Sequence, residues 1–361
     1  MKYLAVLGRQ PEVSIAELEA LFSDVKQISK SLATFTAESV DINRLGGSIK
    51  IAEELNEKPL DFLQNAPDGK ITIGVSDYSK NASARSAKTE ALKLKQILVR
   101  HGRSVRVVES RDAVLSTATS LHNGLSGKND RKFEFIKVDN DWFRVVGVQD
   151  IDAYTKRDQA RPARDAKVGM LPPKLAQILI NLCGPLPAGS RVLDPFCGTG
   201  VVLQEALLMG YSAYGTDLSE RMIEYTEKNL KFFNFTNYKI EVGDATSHKW
   251  SEKIDAVACE GYLGAPMSQV PAEIKLKEQK QECRNIILGF LKNLFDQIES
   301  NTPVVIAAPA WLRSNGTYSR LEIVDEIENM GYNVMNKSRE GLLYHRDDQI
   351  VARDIIILRK K

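Results

Sequence analysis

The sequence is short of the features that would place it outside a reducing compartment or in a membrane. Its four cysteines, Cys183, Cys197, Cys259 and Cys283, are scattered through 361 residues and none forms a C-x-x-C pair. No histidine sits at ligand spacing from them, so neither a metal site nor a disulfide framework is expected, and a cytoplasmic chain with reduced thiols is. No run of about 18 apolar residues occurs, so no membrane-spanning helix is expected. The apolar stretch from Tyr3 to Leu7 lacks the long hydrophobic segment and small-residue cleavage site of a signal peptide. An excess of charge of one sign is also lacking. The formal net charge is +2, so the total says little about partners. Internal repeats and low-complexity segments are absent.

What remains is the composition of a two-domain globular chain, 43% hydrophobic and 27% charged. The near-neutral total hides local asymmetry. Between Lys80 and Arg111 nine Lys and Arg face two acids, Glu90 and Glu109. Most of this stretch reads as a helix from Ala84 to Arg100, with Ala87, Ala91, Leu94 and Leu98 at core spacing. Its other faces carry Arg85, Lys88, Lys95 and Arg100. A second basic cluster holds Lys156, Arg157, Arg161, Arg164 and Lys167, and the domain boundary is expected there, over 155–168. Beyond it the signals alternate. Strands are predicted at Arg191–Asp194, Ala213–Asp217, Tyr238–Val242, Ile254–Cys259 and Val304–Ala308. Helices are predicted at Leu175–Leu182, Val201–Met209, Glu220–Leu230 and Glu273–Glu299. A further helix and two strands follow, the last at Asp354–Leu358. That alternation implies a parallel, doubly wound sheet.

The most informative stretch is Val192-Leu193-Asp194-Pro195-Phe196-Cys197-Gly198-Thr199-Gly200. A strand ends in an acid, a glycine turn follows, and a helix opens. Ligands of open α/β sheets sit outside such strand ends, and a helix N-terminus behind the turn favours an anion. The dinucleotide fingerprint is excluded, because its third glycine is here Leu203. An acid at the strand end suits an ammonium and repels a pyrophosphate. The methionine part of S-adenosylmethionine carries both an ammonium and a carboxylate. Asp217 ends the next strand, where a carboxylate can accept both ribose hydroxyls. Asp244, in Gly243-Asp244-Ala245, follows the third strand and can accept from an adenine amine. One acid at a strand end is more often a helix cap; three with a glycine turn describe a nucleoside site.

These residues resemble the THUMP-domain tRNA guanosine N2-methyltransferases, a branch of the class I S-adenosylmethionine-dependent enzymes. The match is strongest over Asp194 to Gly200. Arg161-Pro162-Ala163-Arg164-Asp165 and Gly169-Met170-Leu171-Pro172-Pro173-Lys174 resemble the family's linker and first catalytic-domain helix. The resemblance implies an α/β, Rossmann-like seven-stranded class I methyltransferase domain, its last strand antiparallel, behind an N-terminal ferredoxin-like plus THUMP α+β region. The layout expected is a ferredoxin-like segment over 1–70, a THUMP module over 71–155, a basic linker over 156–168 and the methyltransferase domain over 169–361. Expected cofactor contacts are Asp194, Phe196, Cys197, Gly198, Gly200, Asp217, Asp244 and Ala245. The expected substrate is tRNA, held through Arg85, Lys88, Lys95, Arg100, Arg161 and Arg164. An accessory subunit stays open.

The sequence departs from the family at the fourth strand. Where the family carries Asp-Pro-Pro-Tyr, this chain reads Glu260-Gly261-Tyr262-Leu263. An exocyclic base amine is a poor nucleophile because its lone pair is delocalised into the ring. An acceptor beside it favours the reactive geometry and takes its proton, while an aromatic face orients the base. Glu260 is the expected acceptor and Tyr262 the expected platform. The alternatives are a tRNA-binding protein with a degenerate methyltransferase domain, or a methyltransferase acting on another base amine, DNA included. Cys197 as a nucleophile is the weaker reading. His101, His122, His248 and His345 form no ligand set, and Trp142, Trp250 and Trp311 read as packing residues. Arg346, in the polar stretch Tyr344 to Gln349, is a candidate for substrate binding.

Overall fold

The structure, a computed structural model, describes residues 1–164, 171–267, 269–336, 342–346 and 349–361. Asp165, Lys167, Gly169 and Met170 of the expected linker motifs, and Asp347 and Asp348 near the C-terminus, lie outside the described residues. The chain divides into two units, Met1–Tyr154 and Thr155–Lys361.

The first unit runs β1 (Lys2–Leu7), α1 (Pro11–Leu21), β2 (Ser23–Ser29), β3 (Leu32–Thr36), β4 (Ser48–Glu54), α2 (Pro59–Gln64), β5 (Ile71–Asp77), α3 (Ala84–Arg100), β6 (Val105–Val108), α4 (Thr117–His122), β7 (Lys132–Val138) and β8 (Asp141–Val148). Its eight strands form one sheet in the order β2-β3-β1-β4-β8-β7-β5-β6. Helix α3 has the bounds predicted from its periodicity, because both signals agree. Ala87, Ala91, Leu94 and Leu98 are buried, and Ser83 and Ser86 form a reciprocal capping box at its start. Ser86 Oγ also donates to Asp77 Oδ2 at 2.6 Å, tying the helix start to the end of β5. A buried ion pair ties this unit's strands together. Lys50 Nζ of β4 lies 2.5 Å from Glu134 Oε1 of β7. Ser76 and Ser120 also donate to Glu134, each at 2.6 Å. A pair sealed this way is tolerated because its remaining lone pairs are filled.

Helix α5 (Ile151–Gln159) runs across the division. The second unit then continues α6 (Pro173–Asn181), β9 (Arg191–Asp194), α7 (Val201–Leu208), β10 (Ser212–Asp217), α8 (Glu220–Phe232), β11 (Tyr238–Val242), β12 (Ala256–Glu260), α9 (Glu273–Phe295), β13 (Pro303–Leu312), β14 (Tyr318–Arg320), α10 (Val324–Asn329), β15 (Tyr332–Val334), β16 (Leu343–Tyr344) and β17 (Val351–Lys360). The sheet order is β11-β10-β9-β12-β13-β17-β15, with β14 on β13 and β16 on β17. β9 to β13 are parallel neighbours and β17 is antiparallel to β13. The main path has the seven strands expected, and the described residues add two short ones, β14 and β16. Strands of three and two residues carry no periodicity to read. β13 runs to ten residues, longer than predicted, because it pairs with β17 from Pro303 to Trp311. Helix α9 ends four residues earlier than predicted, in the turn at Asp296. The core of this unit lies between α9 and the sheet, where Ile287, Phe290, Leu291 and Leu294 meet Val257, Val304, Ile306 and Ile356.

Candidate active site

β9 is where the strand order reverses: the chain goes from β9 to β10 on one side and later returns to β12 on the other. The crevice outside the carboxyl ends of these strands is the ligand position of an open α/β sheet. Asp194 ends β9, Asp217 ends β10 and Glu260 ends β12, so the topology brings three carboxylates together. Asp194 is 2% exposed. Burial raises its carboxyl well above the usual range; the backbone N–H of Phe196 opposes that, and the charges of Asp217 and Glu260 add to it.

The glycine turn is held from beneath and behind. Cys197 N–H donates to the Thr216 carbonyl at 3.0 Å and Gly200 N–H to the Cys197 carbonyl at 2.7 Å. Gly198 and Gly200 have φ of +50° and +81°. A Cβ on Gly200 would lie 2.9 Å from Thr226 Cγ2, so this position needs glycine for conformation and for space. Thr226 Oγ1 donates to the Gly198 carbonyl at 2.8 Å. Asn229 Nδ2 donates to the carbonyls of Thr199 and Ala163, both at 2.9 Å, while its Oδ1 accepts from Ala163 N–H at 3.0 Å. Asp217 faces the turn from the front: Oδ2 accepts Gly198 N–H and Oδ1 accepts Ser219 N–H, each at 2.9 Å. Each oxygen keeps a lone pair for a further donor.

The other predicted residues divide into those that meet this crevice and those that do not. Phe196 is half-buried and stands edge-on to Phe290 at 5.3 Å between ring centroids. It packs on the same apolar cluster as Tyr262, also half-buried. Burial raises the Tyr262 phenol, and nearby Glu282 and Cys283 add to the rise. Cys197 is buried below the turn among Leu203, Ala213 and Leu230. Burial, with the charges of Asp194 and Asp217 nearby, raises its thiol well above the usual range, which argues against a nucleophile. Ala245 is buried in the core. Asp244 lies exposed two residues past β11; its Oδ1 accepts from Thr246 N–H at 2.9 Å and Thr246 Oγ1 at 2.7 Å.

Of the predicted RNA contacts, Arg85, Lys88, Arg100 and Arg164 are exposed and Lys95 is half-buried. Arg161 corrects the reading. It is 3% exposed, and its Nη1 donates to Thr199 Oγ1 at 3.2 Å, so it braces the glycine turn and is shielded from a phosphate. Arg157, four residues earlier, donates to Glu205 of α7 at 3.0 Å. The basic run that reads as an RNA contact thus spends two of its charges inside the second unit.

Sequence reasoning also missed Thr226, Asn229 and Arg353. Thr226 and Asn229 are two polar residues among several in a largely polar helix, and nothing in the sequence marks them as the ones turned inward. Arg353 gives one: with Asp354 it puts two charges into the otherwise apolar run from Val351 to Leu358 in β17. Both are buried. Arg353 Nε donates to Glu260 Oε1 at 2.8 Å.

The glycine turn at the reversal, the acid-tipped strands and the antiparallel strand β17 give this unit the Rossmann-like fold of class I methyltransferases. A family model described as "Methyltransferase domain" matches residues 186–316, and one described as "DNA methylase" matches residues 120–228. Among curated relatives, the chain is similar to a tRNA (guanine(10)-N2)-dimethyltransferase of Methanothermobacter thermautotrophicus, 33% identical over 43% of this chain and 44% of that one. It is similar to the tRNA (guanine(10)-N2)-dimethyltransferase of Pyrococcus abyssi at 29% identity over 69% of this chain and 73% of that one. Among solved structures, TrmN from Thermus thermophilus shares the fold across the full length of both chains, with a TM-score of 0.50 at 16% identity. The match thus spans less than half of the first relative's length.

Proposed function

We propose that the chain is a tRNA methyltransferase that moves a methyl group from S-adenosylmethionine to the exocyclic N2 amine of a guanosine. What supports this reading is that Glu260 ends β12 close to Asp194, with Tyr262 two residues on against the apolar cluster that Phe196 also packs on, at the strand end where the family keeps its catalytic loop. The curated relatives supply the tRNA and the guanine amine; the crevice supplies the chemistry.

The residues present fit the cofactor. Asp194 is a buried acid crowded by two carboxylates, a setting that a cationic ligand relieves. Asp217 keeps acceptor capacity on both oxygens for ribose hydroxyls, and the positive-φ turn brings backbone close to a ligand. Asp244 Oδ1 is engaged in its own turn, so the adenine amine takes the second oxygen or the backbone there. When bound, S-adenosylmethionine supplies a methyl group on a positively charged sulfur. Glu260 accepts a hydrogen bond from the base amine, holds its lone pair toward the methyl carbon and receives the proton released. Tyr262, with Phe196 on the same apolar wall, holds the ring in line and keeps water out.

The first unit grips the RNA. Its first four strands, in the order β2-β3-β1-β4, support a ferredoxin-like segment over 1–70; β5 to β8 and α3 support a THUMP module over 71–155. Pairing of β4 with β8 makes the two share a sheet. The exposed Arg85, Lys88 and Arg100 face phosphates, which supplies salt-dependent, sequence-independent affinity. Arg164, in the basic stretch after α5, adds a contact, and the cytoplasm is the compartment of such an activity. Among the described residues no helix is long and apolar enough to cross a membrane.

The test is transfer of tritiated methyl to unmodified tRNA and, in parallel, to duplex DNA. Transfer to tRNA should fall at least about a hundredfold in Glu260→Gln and clearly in Tyr262→Ala. Label that enters DNA and not tRNA would establish the second reading, which the DNA methylase match favours. Failure to bind S-adenosylhomocysteine would leave only a relic pocket.

A further inference from the structure

The chain departs from the family at two adjacent places after β12. The acid after β12 is Glu260, one methylene longer than the family's Asp, and so carries one more freely rotating bond. The residue that follows is Gly261, where the family has a proline to stiffen the loop. Gly261 N–H donates to the Ala307 carbonyl at 3.0 Å, extending the pairing of β12 with β13; a proline has no N–H to make that bond. The backbone of the acid is thus held by the sheet, but its longer side chain stays loose unless something else holds it.

Arg353 holds it. Glu260 lies opposite Ala307 on β13, and Ala307 lies opposite Ile355 on β17. Arg353, two residues before Ile355, is on the same face and opposite Pro309. Two strand spacings, about 9–10 Å, separate β12 from β17. The intervening residues on that face, Ala307 and Pro309, are short enough for the guanidinium to cross above them. Its Nε meets Glu260 Oε1 at 2.8 Å while Nη1 donates to Gln349 Oε1 at 3.0 Å. The side chains are 7% exposed for Arg353 and 17% for Glu260, so the pair is largely screened from water. A charge-assisted bond in such surroundings is short and directional.

We propose that Arg353 is a positioning residue for methyl transfer: by fixing Oε1 of Glu260 from across β13, it sets where Oε2 meets the target amine. It takes over the stiffening that prolines give elsewhere in the family, and it acts through Glu260 without touching the cofactor. The inference rests on the reading of Glu260 as the amine's acceptor.

The experiment compares full-length wild type, Arg353→Met, Arg353→Lys, Glu260→Gln and the double variant Glu260→Gln/Arg353→Met. Each is assayed for kcat and KM on unmodified tRNA and, by calorimetry, for S-adenosylhomocysteine affinity. Displacing a catalytic group by about 1 Å costs up to about a hundredfold. Arg353→Met should therefore lower kcat about ten- to a hundredfold with S-adenosylhomocysteine affinity within about twofold of wild type. Arg353→Lys, which keeps the charge without the planar fork, should fall between. The double variant should be no slower than Glu260→Gln alone, because removing Glu260 leaves Arg353 nothing to position. It also removes the charge imbalance, so it reports on the proposal even if Arg353→Met folds poorly. Three outcomes overturn the proposal: kcat of Arg353→Met within twofold of wild type, loss of cofactor affinity in step with kcat, or multiplied losses in the double variant. A wild type that methylates no tRNA sinks the functional reading and this inference together, whereas an active wild type matched by Arg353→Met sinks this inference alone.

Discussion

Glu205 is a buried acid directly behind the glycine turn, and it makes stability depend on pH in a calculable way. It sits in α7 with no exposure, accepts from Arg157 Nε at 3.0 Å and Gln204 Nε2 at 2.9 Å, and its Oε2 has no hydrogen-bond partner among the described residues. Burial pushes its carboxyl from 4.5 to about 7; Arg157, Gln204 and Arg161 oppose the rise without cancelling it. The folded chain therefore keeps this proton after the unfolded chain has released it. Between pH 4.5 and 7 the folded state binds more protons, so stability falls as pH rises through that window. Each tenfold difference in proton affinity is about 1.4 kcal/mol, so the loss amounts to about 3 kcal/mol. Glu205→Gln keeps the acceptor for Arg157 and cannot ionise, so it should lose none of this. For a unit of about 200 residues, 3 kcal/mol corresponds to about 6–12 °C in Tm. Calorimetric melts of both proteins from pH 4.5 to 8 should diverge by that much, the variant gaining toward neutral pH. Parallel curves would show that Glu205 is ionised in the folded protein throughout, and would refute the argument from burial.

Lys50→Met should destabilise the first unit by about 3–5 kcal/mol, because Glu134 is left buried with no cation; chemical denaturation at pH 7 checks it, and a loss under 1 kcal/mol would contradict it. Gly200→Ala should cost about 1–2 kcal/mol from its left-handed φ alone, and the Cβ meets Thr226 besides. The turn must shift to fit it, so S-adenosylhomocysteine affinity measured by calorimetry should drop; unchanged affinity would mean the turn does not form the cofactor wall.

Most of the architecture was legible because local and long-range signals agree in this chain. The bounds of α3 and β9 follow from periodicity and flanking breakers, and the Asp194–Gly200 stretch marks a strand, a turn and a helix in seven residues. What was misread depends on partners far along the chain. Arg157 and Arg161 belong to a basic run that looks like a surface, yet Glu205 and Thr199, 48 and 38 residues on, engage them inside the second unit. The extra length of β13 depends on β17, which begins about 40 residues later, and β14 and β16 exist only because those two long strands offer edges.

The chain's own order of residues therefore determined the class of the second unit, the position of its glycine turn and the identity of its strand-end acids. These are set by neighbours within a few residues, through backbone conformation and hydrophobic period. Only the tertiary structure decided which of those acids stand together and what restrains them. Asp194, Asp217 and Glu260 meet because strand order reverses at β9, Asp244 turns to its own loop, and Glu260 is held by an arginine 93 residues away. A carboxylate's partner is a matter of distance in space, and no spacing along a chain records a contact made across an intervening strand.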